Sequence, residues 1–175
     1  ISTDVSGSFT TTLAMTGAVA GAATARIDDA SFRNGGTYWT EAFSLQPDTS
    51  GVDRRIISAG PSGSPNLTVD QVATGLAATN VYRWKYRLSD GQDTVESAAG
   101  SQSTAAQVLT MVQVPGTPTL YIDGKFSEST TVGESLVGAL DIGTGGQAIA
   151  GHDGGSPAPY TGLIGRYLAY DGAWT

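Results

Sequence analysis

The stretch Thr-Pro-Thr-Leu-Tyr-Ile-Asp-Gly-Lys-Phe-Ser-Glu-Ser-Thr, residues 117–130, decides the fold predicted for this chain. Runs with strand-like side chains flank Asp123-Gly124, a pair that tolerates positive φ at both positions and closes a two-residue type I′ hairpin. Because side chains alternate across a strand, Leu120 and Ile122 lie on one face, and we predict that both point into a core. The rest of the chain is predicted to form sheet around this hairpin.

The composition favours an all-β domain. At 175 residues the chain has the size of one domain, and such a domain buries about two thirds of its unfolded surface. Glycine occurs 24 times and only 14% of residues are charged, which favours many short strands joined by turns. One hydrophobic core is therefore expected.

Charge and cysteine content exclude several partners and chemistries. Nine basic and sixteen acidic residues give a net charge of −7, which argues against nonspecific binding to nucleic acid or to an anionic membrane. No run approaches eighteen apolar residues, so we predict no membrane insertion. The absence of cysteine excludes disulfides and thiolate chemistry.

Alternation and glycine turns predict the strands in chain order. They are expected at residues 23–32, 38–45, 54–59, 67–72, 82–88, 106–114, 134–142, 148–152 and 162–170. Residues 1–22 contain one more period-two segment, which is interpreted either as an edge strand of the same domain or as an arm that packs on a neighbouring subunit. The second alternative predicts a homo-oligomer or a virion protein.

The strand at residues 82–88 has the most regular alternation. Its aromatic and apolar residues are expected in the core: Tyr82, Trp84, Tyr86 and Leu88. Its other face carries Arg83, Lys85 and Arg87. Two interpretations of these cations stay open. Acidic neighbours such as Asp93 and Glu96 pair with them, or the three form a positive stripe suited to carboxylates or sulfates on a glycan.

Several motifs in order resemble a known family. They are Leu120-Tyr121-Ile122-Asp123-Gly124-Lys125 and the run at residues 160–171, with Leu140-Asp141-Ile142-Gly143 between them and residues 38–47 and 87–91 upstream. Together these motifs resemble a laminin G-like domain of the concanavalin A-like superfamily over residues 23–175. The resemblance implies a jelly-roll β-sandwich of two antiparallel sheets, preceded by a strand or arm at residues 1–22.

Catalytic motifs are missing from the sequence. Hydrolases of the superfamily that the chain resembles carry Glu-x-Asp-x-x-Glu or a close variant on one strand, and this chain has no such run; Glu41 stands alone in its strand. The only histidine, His152, lies in a glycine-rich loop, which supports neither a nucleophilic triad nor a zinc site. We therefore predict that the domain is not an enzyme.

Ligand contacts are expected at the rim. Sugar binding needs aromatic side chains and hydrogen-bonding groups, which the rim loops offer at Tyr38, His152, Asp153 and Tyr160. Resemblance to laminin G-like domains implies calcium as a possible rim ion. Its candidate ligands are Asp153 with nearby carbonyls, or Asp28, Asp29 and Asp48.

Two functions follow as expectations. The first is a non-catalytic binding or adhesion module for a glycan, on a secreted, cell-surface or virion protein. The alternative is a structural module of a phage particle, such as a capsid decoration or tail-fibre domain, without a sugar ligand. Both place the domain outside the cell or on a virion.

Overall fold

The computed structural model describes residues 13–15, 25–27, 34–61, 63–127, 130–131, 136–144, 146–149 and 157–170. These residues form strands joined by turns and loops. The strands are β1 Leu13–Met15, β2 Ala25–Ile27, β3 Trp39–Pro47, β4 Arg54–Ala59, β5 Leu67–Thr74, β6 Thr79–Leu88, β7 Gly91–Glu96, β8 Gln107–Gln113, β9 Thr119–Ile122, β10 Lys125–Ser127, β11 Thr130–Thr131, β12 Gln147–Ile149, β13 Ala158–Pro159 and β14 Gly162–Tyr170. Within the described residues no helix is long and apolar enough to cross a bilayer.

Two sheets face each other. The first has six strands in the order β1-β14-β3-β8-β9-β10. The second has eight, seven of them in the order β11-β7-β6-β5-β4-β12-β2, while the short β13 lies beside β4. All pairings are antiparallel except the one between β13 and β4. The all-β prediction of two antiparallel sheets is confirmed.

The predicted hairpin is present. β9 and β10 pair with Ile122 opposite Lys125, and the intervening Asp123 and Gly124 have φ of 53° and 72°. Leu120 is buried at 1% exposure, and Ile122 packs against the core from a partly buried position. Turn chemistry and alternation therefore give the correct hairpin and the correct inward face.

The interior lies between the sheets and includes the inward face of β6. Tyr82, Trp84, Tyr86 and Leu88 are fully buried, as predicted. The Tyr82 hydroxyl donates to Gln107 Oε1 at 2.8 Å, and Gln107 belongs to β8 in the opposite sheet. A buried tyrosine hydroxyl needs such a partner. The hydrogen bond from Tyr82 therefore helps to fix how the two sheets pack on each other.

One predicted strand is wrong. Residues 136–144 contain an isolated bridge between Leu140 and Leu88 and no strand. The side chain of Asp90 accepts hydrogen bonds from the backbone N–H groups of Val137 and Gly138, both at 2.9 Å. Backbone N–H groups that would pair with a neighbouring strand thus donate to a side-chain oxygen atom instead.

The N-terminal segment contributes to the first sheet. β1 pairs with β14, Leu13 opposite Ile164, and forms one edge of the six-stranded sheet. Residues 1–12 and 16–22 lie outside the described residues. The strand predicted at residues 23–32 is described only at β2, and the one at 148–152 begins one residue early in β12, with residues 150–152 outside the description.

Candidate functional site

The outer face of the eight-stranded sheet carries a groove of about 930 Å³, called here the sheet groove. Its described lining comes from β4, β5, β6 and β12, from the start of β7, and from loop residues around 60–66. Because β6 turns its aromatic side chains inward, Arg83, Lys85 and Arg87 point outward into this groove. The structure thus brings together the three cations that the sequence singled out.

Two arginines of the groove are held by carboxylates. The register places Arg55, Asp70, Arg83 and Glu96 in one row across β4, β5, β6 and β7. Arg55 donates from Nε to Asp70 Oδ1 at 2.5 Å and from Nη2 to Oδ2 at 3.3 Å. Arg83 donates from Nε to Glu96 Oε1 at 2.7 Å. The predicted pairing of the positive stripe with Glu96 is therefore confirmed at Arg83.

The carboxyl group of Asp70 is buried beneath the groove. Burial raises the pKa of Asp70 above its usual range, and the charge and hydrogen bonds of Arg55, with a hydrogen bond from Thr68, act in the opposite direction. Thr68 Oγ1 donates to Asp70 Oδ2 at 3.3 Å. Asp70 is thus engaged on both oxygen atoms and positions Arg55.

Lys85 and Arg87 are the accessible cations. The Lys85 side chain is exposed, and its ammonium group makes no hydrogen bond or ion pair with any residue the structure describes. The Arg87 side chain is 59% exposed, and its Nε lies 3.9 Å from Asp141 Oδ2, at the outer limit of an ion pair. Such an exposed contact contributes little and exchanges readily with solvent.

The groove is locally positive on an acidic chain. Its described lining contains four cationic and two anionic side chains: Arg55, Arg83, Lys85 and Arg87 against Asp53 and Asp70. Glu96, which pairs with Arg83 from beside the groove, reduces this excess to one positive charge, and Arg87 has only the distant contact with Asp141, whereas the whole chain has a net charge of −7. A surface with this local excess attracts anions despite the overall charge.

Aromatic residues do not contribute to the described lining of the sheet groove. The aromatic side chains of β6 are buried in the core, where Trp84 packs against Phe43 with ring centroids 5.7 Å apart. The described lining of the groove therefore lacks the aromatic side chains that were expected to contact a sugar.

The predicted rim residues are dispersed. Tyr160 is fully buried and its hydroxyl donates to the carbonyl of Leu163 at 3.1 Å, so its expected ligand contact is corrected to a packing role. Burial also raises the pKa of the Tyr160 hydroxyl. Tyr38 is 50% exposed but precedes β3 of the other sheet and does not line the groove. His152 and Asp153 lie outside the described residues.

Asp93 does not pair with the positive stripe, contrary to one sequence-based expectation. It lies opposite Tyr86 in the β6–β7 register and is therefore on the inward face. The Tyr86 hydroxyl oxygen lies 3.2 Å from Asp93 Oδ2, and Asp93 Oδ1 accepts a hydrogen bond from the Thr94 backbone N–H at 2.7 Å. Asp93 is a buried structural residue.

Sequence reasoning missed Arg55 and Asp70. The sequence did contain a signal, because β4 and β5 are consecutive strands and each carries a charged residue, Arg55 and Asp70, of opposite sign. A register shift between Arg55 and Ile57 decides that Arg55 meets Asp70, and alternation alone does not reveal that shift.

No described residues form a group of three or more His, Cys, Asp or Glu side chains suited to a metal ion. Asp48, one of the predicted calcium ligands, accepts hydrogen bonds at Oδ1 from Thr161 Oγ1 at 2.6 Å and Thr49 Oγ1 at 3.0 Å. Asp28, Asp29 and Asp153 lie outside the described part of the chain. Calcium binding stays a prediction.

Comparison with known proteins places the fold. No protein-family model and no curated protein sequence matches this chain. Among solved structures, the CBM40 domain of the Ruminococcus gnavus IT-sialidase is similar over 79% of this chain and 78% of its own length, with a TM-score of 0.60 and 14% identity. The chain has a jelly-roll β-sandwich fold.

Two further structures agree. Domain 4 of the GH43 arabinanase AbnA from Geobacillus stearothermophilus matches 86% of this chain and 67% of its own, with a TM-score of 0.55 and 17% identity. A pentraxin from Limulus polyphemus matches 87% of this chain and 70% of its own, with a TM-score of 0.56 and 13% identity. This jelly-roll sandwich agrees with the predicted concanavalin A-like architecture, while the narrower laminin G-like assignment stays a prediction.

Proposed function

We propose that this jelly-roll domain is a non-catalytic glycan-binding module and that the sheet groove is its contact surface. The observation that carries the proposal is the exposed, locally positive groove on the outer face of the eight-stranded sheet. Structures of similar fold that contain bound sugars support a saccharide as the class of ligand. The CBM40 domain is described bound to α2,3-sialyllactose, and the arabinanase domain in complex with arabinotriose.

The groove has the dimensions and polarity for an oligosaccharide. At about 930 Å³ it lies at the upper end of typical ligand pockets. Its lining offers donors and acceptors on several elements, among them Ser64, Asn66 and Gln92. Sugar hydroxyl groups need many such partners because each replaces a hydrogen bond to water.

Arginines hold the carboxylates of Asp70 and Glu96, which leaves Asp53 as the one other carboxylate in the described lining of the groove and supports binding without catalysis. A glycoside hydrolase needs two carboxyl groups free to reach the scissile bond from either side. Asp70 is bonded by Arg55. Glu96 receives Arg83 and the Leu76 backbone N–H.

The proposed setting is extracellular, on a secreted or cell-surface protein, where a laminin G-like module would serve adhesion. The alternative raised by the sequence, a structural module of a phage particle, stays a prediction, as does an oligomer formed through residues 1–22. A virion protein that binds host glycans would satisfy the proposal as well.

The test is a glycan array with the intact chain and two tryptophan variants. Gln92→Trp fills the sheet groove from an exposed position, whereas Val108→Trp places the same bulk on the outer face of the other sheet. We expect glycan binding that falls more than tenfold in Gln92→Trp and stays unchanged in Val108→Trp. An array without any bound glycan, or equal losses in both variants, would overturn the proposal. A reducing-end assay on bound glycans checks that no bond is cleaved.

A further inference from the structure

We propose that the ligand of the sheet groove is an acidic saccharide whose carboxylate or sulfate group binds between Lys85 and Arg87. This inference rests on the proposed glycan-binding function and adds the chemical class of the glycan and the end of the groove where its charge sits. Three properties of the groove carry it: its lack of aromatic lining, its unpaired lysine and the distribution of its ion pairs.

The first property concerns the source of affinity. Without an aromatic side chain among its described lining residues, the groove offers a sugar ring no stacking surface. Neutral hydrogen bonds contribute little net affinity each, because water competes for the same groups. Charge-assisted hydrogen bonds are roughly twice as strong. A saccharide with an anionic group therefore gains most from this lining.

The second property is the surroundings of Lys85. Its register neighbours on β5 and β7 are Thr68 and Thr94, both neutral, whereas Arg83 lies between Asp70 and Glu96. Lys85 thus lacks the carboxylate that neutralises the cation two residues earlier on the same face. On a chain with net charge −7, this ammonium group is available to an external anion.

The third property is the polarity of the groove along β6. Arg83 and its row are neutralised by Asp70 and Glu96, so the charge excess lies at the Lys85–Arg87 end. Lys85 and Arg87 are two residues apart on one face, which spaces their Cα atoms by about 6.6 Å. Long flexible side chains at this spacing can converge on one carboxylate or sulfate.

Groups beside the two cations fit the rest of a sugar. Gln92 lies opposite Arg87 in the β6–β7 register and is exposed, and Asn66 adjoins Arg87 from the other side through its backbone carbonyl. Both line the groove and carry amides, which donate to and accept from hydroxyl groups. The anionic group thus fixes one end of the ligand and the amides contact its ring.

The experiment measures calorimetric binding of matched saccharide pairs to the intact chain. The pairs are sialyllactose and lactose, oligogalacturonate and its methyl ester, and sulfated carrageenan and neutral agarose oligosaccharides. We expect binding of at least one acidic member, at least tenfold tighter than its neutral partner, and weaker binding as salt rises. The first two pairs report a carboxylate and the third a sulfate.

Variants assign the effect to the two cations. Lys85→Gln and Arg87→Gln each should weaken binding of the acidic member about tenfold or more, since each removes a charge-assisted contact. Lys125→Gln removes an exposed cation from β10 of the other sheet and should leave binding unchanged. Equal losses in Lys125→Gln and Lys85→Gln would overturn the inference.

The outcomes separate the inference from the function on which it rests. Equal affinity for acidic and neutral members overturns the acidic ligand and leaves a glycan-binding groove. Binding of the acidic members that survives both Lys85→Gln and Arg87→Gln overturns the location. Failure of every saccharide here and on the array overturns the proposed function itself.

Discussion

Trp84 donates its indole N–H to the carboxylate of Glu41 across the interior of the sandwich, at 2.9 Å. Both residues are fully buried, and the hydroxyl of Tyr167 donates to the other carboxylate oxygen at 2.6 Å. A buried carboxylate is costly unless its oxygen atoms are hydrogen-bonded. Glu41 therefore links β3 to β6 of the opposite sheet and to β14 of its own, and its role is structural.

Removing the Tyr167 hydroxyl should destabilise the fold. Tyr167→Phe keeps the ring but takes one donor from Glu41, and a hydrogen bond to a charged group contributes about 1.5–3 kcal/mol. We expect the free energy of unfolding in urea to fall by about 2 kcal/mol. The matched variant Tyr121→Phe removes a hydroxyl without a hydrogen bond among the described residues and should change it little. Equal effects of the two variants would contradict this role of Glu41.

Much of the fold could be predicted from short sequence patterns, because turns and alternating strands are determined by residues that are adjacent in sequence. The Asp123-Gly124 turn and the alternation of β6 depend on residues adjacent in sequence. Trp84 and Glu41 are separated by 43 residues, and Tyr167 by 126 from Glu41. The sequence therefore identified an isolated glutamate in β3 without revealing why a carboxylate is buried there.

The site was predicted in part for the same reason. Alternation put Lys85 and Arg87 on the outward face, and this is what the structure has. Tyr160 was expected at the rim, but its burial depends on strands distant in sequence, and a tyrosine suits either setting. Asp93 lies inward because the β6–β7 register places it opposite Tyr86, and one residue of register decides the face.

The Arg83–Glu96 pair should contribute to stability through Glu96. The Glu96 side chain is almost fully buried, while Arg83 is about one quarter exposed. Arg83→Met leaves the carboxylate with the Leu76 N–H as its other described donor, and we expect a loss of about 2 kcal/mol in the free energy of unfolding. Arg87→Met removes an exposed cation with a 3.9 Å contact and should cost no more than about 0.5 kcal/mol.

A double-mutant cycle isolates the interaction. Arg83→Met combined with Glu96→Met removes both charges, so the loss should be smaller than the sum of the single losses by at least about 1 kcal/mol. Strict additivity would show that the two side chains do not stabilise each other.

Replacing the glycine of the hairpin turn should destabilise the fold. Gly124 has φ of +72°, and a Cβ added there meets no atom within 4 Å, so the cost of Gly124→Ala is conformational alone. We expect a loss of about 1–2 kcal/mol in the free energy of unfolding. Asp123→Asn serves as the control, because asparagine tolerates the left-handed conformation and keeps an oxygen atom for the Val108 N–H, 2.7 Å away. A larger loss for Asp123→Asn than for Gly124→Ala would contradict the turn assignment.

A second buried carboxyl group makes stability depend on pH. The Tyr86 hydroxyl has one proton and two acceptors, Asp93 Oδ2 at 3.2 Å and Gln113 Oε1 at 2.9 Å. A protonated Asp93 can donate to the tyrosine oxygen while the tyrosine donates to Gln113. This chain of hydrogen bonds is complete only with the proton on Asp93.

Burial raises the pKa of Asp93 above its ordinary value of 3.8, so the folded chain binds this proton more tightly than the unfolded chain. Its contribution to stability is fully present below about pH 3.8 and is lost as pH rises through the raised pKa. Asp93→Asn removes this dependence, so the stability of the variant relative to the original chain should increase as pH rises above 4. Urea unfolding between pH 4 and 7 measures the difference, with the exposed Asp53→Asn as a control for the loss of one negative charge. A difference that stays constant or falls with pH would show that the Asp93 carboxyl has no raised pKa in the fold.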